Sequence, residues 1–287
     1  MRSGSSRSRI GRVLVTEPPA VVIVAYGDPA GTLDAVRHLN RPRDAVVIVV
    51  DNSDSTVLAQ AALTESLIYL AGQGNVGFAA AVNLALRRVT PGRDVLLLNP
   101  DAQISWEDLL ALQAALHVEG RTAAVAPRLV NRDGSDQQVW WPIPTPASTW
   151  LDAVGIQRSK AKFLSGAVLL LSGEALAELG WFDERFFLYA EETDWQMRAL
   201  RSGWSLRLVD DVVAAHEGGG TSSDEVRRVR LLLRSALSLQ DKWYGPTGAW
   251  VSWVGSVAAA SRRSLVGPRP QRHRARIMLS MLAHTRP

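Results

Sequence analysis

The stretch AVVIVVDNS, residues 45–53, decides the class of fold. An unbroken β-branched run with no polar alternation suits a strand buried on both faces, and such strands belong to parallel sheets covered by helices. The run halts at Asp51-Asn52-Ser53. Upstream, VVIVA at residues 21–25 halts at Tyr26-Gly27-Asp28-Pro29; downstream, DVLLL at residues 94–98 halts at Asn99-Pro100-Asp101. Between them, residues 32–39, 58–66 and 78–89 read as helices and residues 67–71 as a short strand. Strands alternating with helices predict βαβ units, hence an α/β fold with a mainly parallel sheet. In such sheets ligands bind beyond the carboxyl ends of the strands, where the polar stops lie. No G-x-G-x-x-G follows the first strand, which argues against an NAD-dependent oxidoreductase.

Residues 130–156 break this pattern. Pro142, Pro144 and Pro146, with Trp140, Trp141 and Trp150, predict an irregular aromatic loop. FLSGAVLLL, residues 163–171, reads as one strand, and residues 173–178 and 191–201 as helices. Ser222 and Ser223 are N-caps for a helix running to about Trp243, followed by a loosely ordered Arg-rich tail.

The 287 residues are 47% hydrophobic and 21% charged, a globular composition with room for a large core. There is no Cys, which excludes disulfides, zinc–thiolate sites, iron–sulfur clusters and a Cys nucleophile. The net charge of +4 sits at the ends: Arg2, Arg7, Arg9 and Arg12 precede the first acid, and seven arginines from Arg262 to Arg286 follow the last. Such ends suit anionic lipid or solvent, and no nucleic-acid partner is expected. Residues 1–13 are Arg/Ser/Gly-rich and residues 21–25 are too short for a signal sequence. No stretch reaches the roughly 20 apolar residues of a membrane span. The expectation is a cytoplasmic protein, with attachment at the inner face of the plasma membrane an option its ends allow.

Several segments could carry chemistry. Asp101, in a turn after an apolar strand, can hold Mg²⁺ or Mn²⁺ against a diphosphate, or can simply cap the turn. Asp51 could accept the N3–H of uracil or thymine with Ser53 beside it, or cap the following helix. Gly74-Asn75-Val76-Gly77-Phe78 opens a helix whose N–H groups can face an anion, with Asn83 toward the ligand; the alternative is a tight turn and a close-packed helix. Glu191, Glu192 and Asp194 crowd a helix start beside Phe186, Phe187, Tyr189 and Trp195. Acids favour a helix N-terminus in any case, but one in apolar surroundings can take a proton from a sugar hydroxyl. His216, before a Gly run, is either a packed residue or a metal ligand.

In this order these segments resemble the inverting family-2 glycosyltransferases, specifically their bacterial rhamnosyltransferase-like branch. The similarity also takes in Ser165-Gly166-Ala167, Gly180-Trp181-Phe182-Asp183-Glu184-Arg185-Phe186-Phe187 and Arg198, and covers residues 21–220. It implies a GT-A fold, with a nucleotide-binding half at about 19–103 and an acceptor-binding half at about 104–221. These would lie between a basic segment, 1–18, and a helical Trp/Arg-rich extension, 222–287. The resemblance assigns Tyr26, Asp51, Asn52, Ser53, Asn75, Gly77, Phe78, Asn83 and Asn99 to the nucleotide sugar. Gly166, Trp195 and Arg198 go to the acceptor, and Asp101 and His216 to Mg²⁺ or Mn²⁺. Glu192 ranks first as the base, ahead of Glu191 and Asp194.

Three positions depart from the family pattern: Gly27, Ala81 and Glu192, the last where the family carries Asp. They keep open a nucleotide-sugar-binding protein without turnover. The implied donor is a dTDP- or UDP-sugar, first of all dTDP-L-rhamnose, with galactofuranose, mannose or N-acetylglucosamine as alternatives. The implied acceptor is a glycan or a polyprenyl-diphosphate-linked sugar. Arg227, Arg228, Arg230 and Arg234 could meet lipid diphosphate or solvent. Trp243, Trp250 and Trp253 could anchor at a membrane surface or form a homodimer contact.

Overall fold

The structure, a computed structural model, describes residues 17–156, 161–218 and 225–287. The predicted caps Ser222 and Ser223 and the arginines at positions 2 to 12 lie outside them. In chain order the elements are β1 (Ala20–Ala25), α1 (Pro29–His38), β2 (Val47–Asp51), α2 (Thr56–Thr64), β3 (Ile68–Leu70), α3 (Phe78–Leu86) and β4 (Val95–Leu98). Then come β5 (Ala102–Gln103), α4 (Trp106–Val118), β6 (Thr122–Val130), β7 (Trp140–Pro142), α5 (Pro146–Ala153), β8 (Lys162–Leu164), β9 (Val168–Leu171) and α6 (Gly173–Leu179). The last are α7 (Glu191–Arg201), β10 (Ser205–His216), α8 (Glu225–Val266) and α9 (Arg269–His284).

One sheet runs β3-β2-β1-β4-β9-β6-β10-β5. The half made of β3, β2, β1 and β4 is parallel throughout. β9 then lies antiparallel between β4 and β6, and β10 is parallel to β6. β1, β2, β4 and β9 are buried along their whole length, as continuous apolar runs require. Helix starts follow local chemistry: the side chains of Asp28, Ser55, Ser105 and Ser172 accept backbone N–H bonds ahead of α1, α2, α4 and α6.

Three expectations are corrected. Residues 163–171 are not one strand, because Ser165-Gly166-Ala167 interrupts them. β8 pairs with β7 in a separate two-stranded sheet, while β9 joins the main one. The supposed loop at 130–156 holds β7 and α5, the latter started by Pro146 and a reciprocal Thr145–Ser148 capping box. The tail beyond Trp243 is also ordered. α8 bends at Gly245, φ +69°, just before Pro246, and α9 folds back on it through Leu233, Ala260 and Leu282.

The loop ahead of α3 is tied at Gly77 to the turn ahead of α7. The φ of Gly77 is +86° and ψ 177°, a conformation open essentially to glycine alone. A β-carbon there would collide with the carbonyl oxygen of Phe187, which accepts the Phe78 N–H at 2.6 Å. Gly77→Ala should therefore cost at least the roughly 1–3 kcal/mol of forced backbone. Urea denaturation reads this; an unchanged midpoint would show the contact to be dispensable.

Candidate active site

The side expected to take the nucleotide forms where β1 and β2 end. Ala25 and Asp51 are in register, and the Asn52 N–H donates to the Ala25 carbonyl at 2.9 Å. Asp51 is fully buried. Its carboxylate accepts from Ser53 N–H at 2.8 Å, Ser53 Oγ at 2.7 Å, Ser55 N–H at 2.6 Å and Tyr69 OH at 2.8 Å. Burial pushes its pKa up, but these donors together outweigh burial and leave it below the ordinary value. The same contact, with burial, lifts the Tyr69 hydroxyl. Asn52 donates to Gly77 O at 3.2 Å, and Asn75 Oδ1 accepts the Gly77 N–H at 3.1 Å, so Asn52, Asn75 and Gly77 form one loop-to-loop joint. Phe78 packs on the core. Tyr26 is exposed at the tip of β1, where Arg227 of α8 donates to its hydroxyl at 3.3 Å and lowers its pKa.

Asp101 and His216 meet across the other edge. His216 pairs with Ala102 in the β10–β5 ladder, which brings its Nε2 to 3.4 Å from Asp101 Oδ1. His216 Nδ1 lies 2.9 Å from Gln137 Oε1. The Gln137 amide nitrogen donates to Asn131 Oδ1 and to the His216 carbonyl, both at 2.6 Å, so its oxygen must be the acceptor facing the ring. Nδ1 therefore carries the proton, and Nε2 can turn a lone pair toward the carboxylate. Two acceptors opposed in this way suit a hard divalent cation, with the ring oriented by its outer hydrogen bond. Among the described residues no cluster of three or more His, Asp or Glu forms. Phosphate oxygens or water would complete the coordination.

Two links join this pair to the carboxylates of α7. The Asn99 N–H donates to Ala167 O at 2.9 Å, and a β-carbon on neighbouring Gly166 would lie 3.3 Å from Glu192 Cγ. Tyr189 and Ala190, both at φ +70°, turn the chain sharply into α7. Glu191 is buried and Glu192 half-buried there, each with one buried oxygen, Oε2, lacking a hydrogen-bond partner among the described residues. Burial lifts the Glu191 pKa well above the ordinary range and the adjacent Glu192 charge lifts it further. Burial also raises Glu192, while its own and the Thr193 N–H groups and the Glu191 side chain pull the other way. The two titrate as a pair, with Glu191 the member that keeps its proton and Glu192 the one that ionises.

Four expected site residues are spent on structure instead. Asn83 holds the 182–184 turn, donating to Phe182 O and Glu184 Oε1, both at 2.9 Å, and accepting from Phe182 N–H at 3.1 Å. Asp194 is fully buried between Lys242 at 2.7 Å, Trp243 Nε1 at 2.9 Å and Arg198 at 3.2 Å, which removes it as a base. Trp195 is a core residue stacked on Phe182, its Nε1 donating to Gly180 O at 3.0 Å. Arg198 donates to the carbonyls of Leu179 and Trp181, both at 2.6 Å, and so clamps a turn where the acceptor was expected. Gln137 escaped the sequence reading, since its partner His216 lies 79 positions away.

Residues 20–176 match the family model described as "Glycosyl transferase family 2". The chain belongs to that family. This glycosyltransferase is 28% identical over 184 residues to the low-salt glycan biosynthesis hexosyltransferase Agl10 of Haloferax volcanii, covering 60% of the chain and 59% of the relative's length. It is 27% identical over 285 residues to the N-acetylglucosaminyl-diphospho-decaprenol L-rhamnosyltransferase of Mycobacterium tuberculosis H37Rv, covering 86% and 92%. The dTDP-rhamnosyl transferase RfbF of Shigella flexneri shares 24% over 210 residues, covering 70% and 69%. Among solved structures, the mannosyltransferase PcManGT of Pyrobaculum calidifontis, in complex with GDP-Man and Mn²⁺, superposes with a TM-score of 0.57 at 17% identity, covering 93% and 85%. That likeness gives this family 2 glycosyltransferase a GT-A fold, the mainly parallel sheet with added C-terminal helices expected from the sequence.

If Gln137 orients the His216 ring, Gln137→Leu should weaken Mn²⁺ binding in the presence of nucleoside diphosphate by about 10- to 100-fold. Titration followed by Mn²⁺ electron paramagnetic resonance measures this, and unchanged affinity would remove Gln137 from the site.

Proposed function

We propose that this glycosyltransferase moves L-rhamnose from dTDP-L-rhamnose onto a glycan or polyprenyl-diphosphate-linked acceptor, with inversion at C1. The observation that carries the reading is the half-buried Glu192, one oxygen unpartnered, linked through Gly166 and Asn99 to the turn bearing Asp101. Donor and acceptor follow the printed names of the mycobacterial and Shigella relatives. Glu192 takes the proton of the acceptor hydroxyl; that oxygen bonds to C1 as the bond from C1 to the diphosphate breaks, and the nucleoside diphosphate leaves with the electron pair. Mg²⁺ or Mn²⁺ held by Asp101 and His216 would neutralise charge on the diphosphate oxygens. Asn52, Asn75, Gly77, Tyr26 and Ser53 would line the nucleotide. Asp51, its oxygens engaged, would select a pyrimidine only if one of its present donors gave way.

A cavity of about 900 Å³, lined by Arg185, Arg234, Arg286, Phe187 and Leu231, supports an acceptor with an anionic, partly apolar portion. No described helix is long and apolar enough to cross a membrane. Exposed Trp250, Val251 and Val254 on α8, with the Arg-rich α9, support docking at an anionic lipid surface.

Release of nucleoside diphosphate from dTDP-rhamnose, UDP-galactofuranose, UDP-N-acetylglucosamine and GDP-mannose, with a short-chain analogue of N-acetylglucosaminyl-diphospho-decaprenol as acceptor, tests the reading. Turnover of dTDP-rhamnose supports it, and turnover of GDP-mannose alone would overturn it.

Glu192→Gln should lower kcat by about 10²- to 10⁴-fold. Glu191→Gln should retain most activity. In the wild type the acid limb of kcat/KM should fall above the ordinary glutamate range, because the base pKa is raised. A carboxyl whose pKa is raised by folding stabilises the protein fully below its unfolded pKa, and loses that contribution as pH rises through the folded value. Glu191→Gln should accordingly raise the melting temperature at pH 7 more than at pH 4, a difference scanning calorimetry can read.

A further inference from the structure

A second cavity, about 520 Å³, lies between the β7–β8 hairpin, α5 and α8, within the size range of small-molecule sites. Trp140 and Pro142 form part of one wall and Lys162 part of the rim, while Gln240 and Ser252 line the α8 side. Both polar residues are 3% exposed, and Gln240 Oε1 and Ser252 Oγ have no hydrogen-bond partner among the described residues. The Gln240 amide is oriented by its nitrogen, which donates to Pro144 O at 3.1 Å, so the oxygen is left as an unmet acceptor. Buried polar groups in folded proteins are nearly always paired, and an orphaned pair lining one cavity calls for a ligand bearing hydroxyl donors. A flat indole and prolines on the facing wall suit the apolar face of a sugar ring.

The cavity wall is joined along the chain to the residues already described. Trp140 pairs with Leu164, two residues before the Gly166 that packs on Glu192. Gln138, at the same end, follows the Gln137 that orients His216. Leu237 lines this cavity and the Arg-lined one alike. Gln240 and Ser252 lie beyond the family-model match at residues 20–176, where a feature particular to this chain is expected.

We infer that this cavity seats the saccharide of the acceptor, with Gln240 Oε1 accepting from one sugar hydroxyl and Ser252 Oγ exchanging a hydrogen bond with another. The inference rests on the glycosyltransfer reading but has its own readout. Binding of the short-chain N-acetylglucosaminyl-diphospho-decaprenol analogue, and of chitobiose as a neutral probe, is measured by calorimetry on the wild type, Gln240→Leu and Ser252→Ala. Each variant should weaken both ligands by about tenfold and leave dTDP binding unchanged. Each should also keep the wild-type melting temperature within a few degrees, which distinguishes a ligand contact from a structural water site. Undiminished binding in both variants overturns the inference, as does a wild type that binds neither ligand. Acceptor-independent hydrolysis of dTDP-rhamnose, followed in parallel, shows whether the donor reading stands when this one falls.

Discussion

One hydrogen bond, from the Phe78 N–H to the Phe187 carbonyl, joins two segments more than a hundred residues apart. On one side of it lies the loop that Asn52 and Asn75 hold in place; on the other, the turn delivering Glu191 and Glu192. The bond forms only because Gly77 has no side chain and accepts a backbone forbidden to other residues. The loop proposed to contact the nucleotide and the turn proposed to deliver the base are thus fixed to each other by backbone atoms, without side chains that could change rotamer. Their mutual geometry is set before any ligand arrives, the condition under which orientation contributes to rate.

The three acids of α7 show how environment divides one local composition into separate roles. Glu191, Glu192 and Asp194 fall within four residues, and all profit from the helix N-terminus. Asp194 is compensated by Lys242 and Arg198 and is thereby committed to holding α8 in place. Glu191 has no ion pair among the described residues and lies beside another carboxyl, so burial drives it toward its neutral form. Glu192 is left to ionise, with Gly166 giving room beside it. Pairs of acids whose surroundings push their pKa values apart are the usual basis of acid–base assignment, and here the division arises from which side of one helix turn faces Lys242.

What the sequence could reveal follows the same logic. β1, β2 and β4 were legible because burial on both faces leaves an unbroken β-branched run, and α7 was legible from its acidic start. The split of residues 163–171 was not, since β9 owes its place between β4 and β6 to pairing with distant strands rather than to any local period. Residue types in the site were visible, but their partners were not. Asn83, Trp195 and Arg198 have side chains suited to a ligand, and each is consumed by the backbone of residues 179–184. Gln137 looks like any surface glutamine until the sheet brings His216 beside it. Local sequence reports burial and turns; it does not report which of two chemically suitable partners the fold supplies.

The helices after β10 complete the site rather than hang from it. Arg227 reaches Tyr26 at the end of β1, Ser235 donates to the Leu188 carbonyl at 2.7 Å, Gln240 donates to Pro144, and Lys242 and Trp243 hold Asp194. α8 therefore contacts both the end of β1 and the turn into α7 along its first stretch, before the bend at Gly245. The Ser235 bond meets the chain at Leu188, the residue immediately before the strained turn at Tyr189 and Ala190 that leads into Glu191. Because that turn holds two consecutive non-glycine residues at positive φ, it persists only where its surroundings hold it, and the Ser235 bond from α8 is one of the contacts that do so.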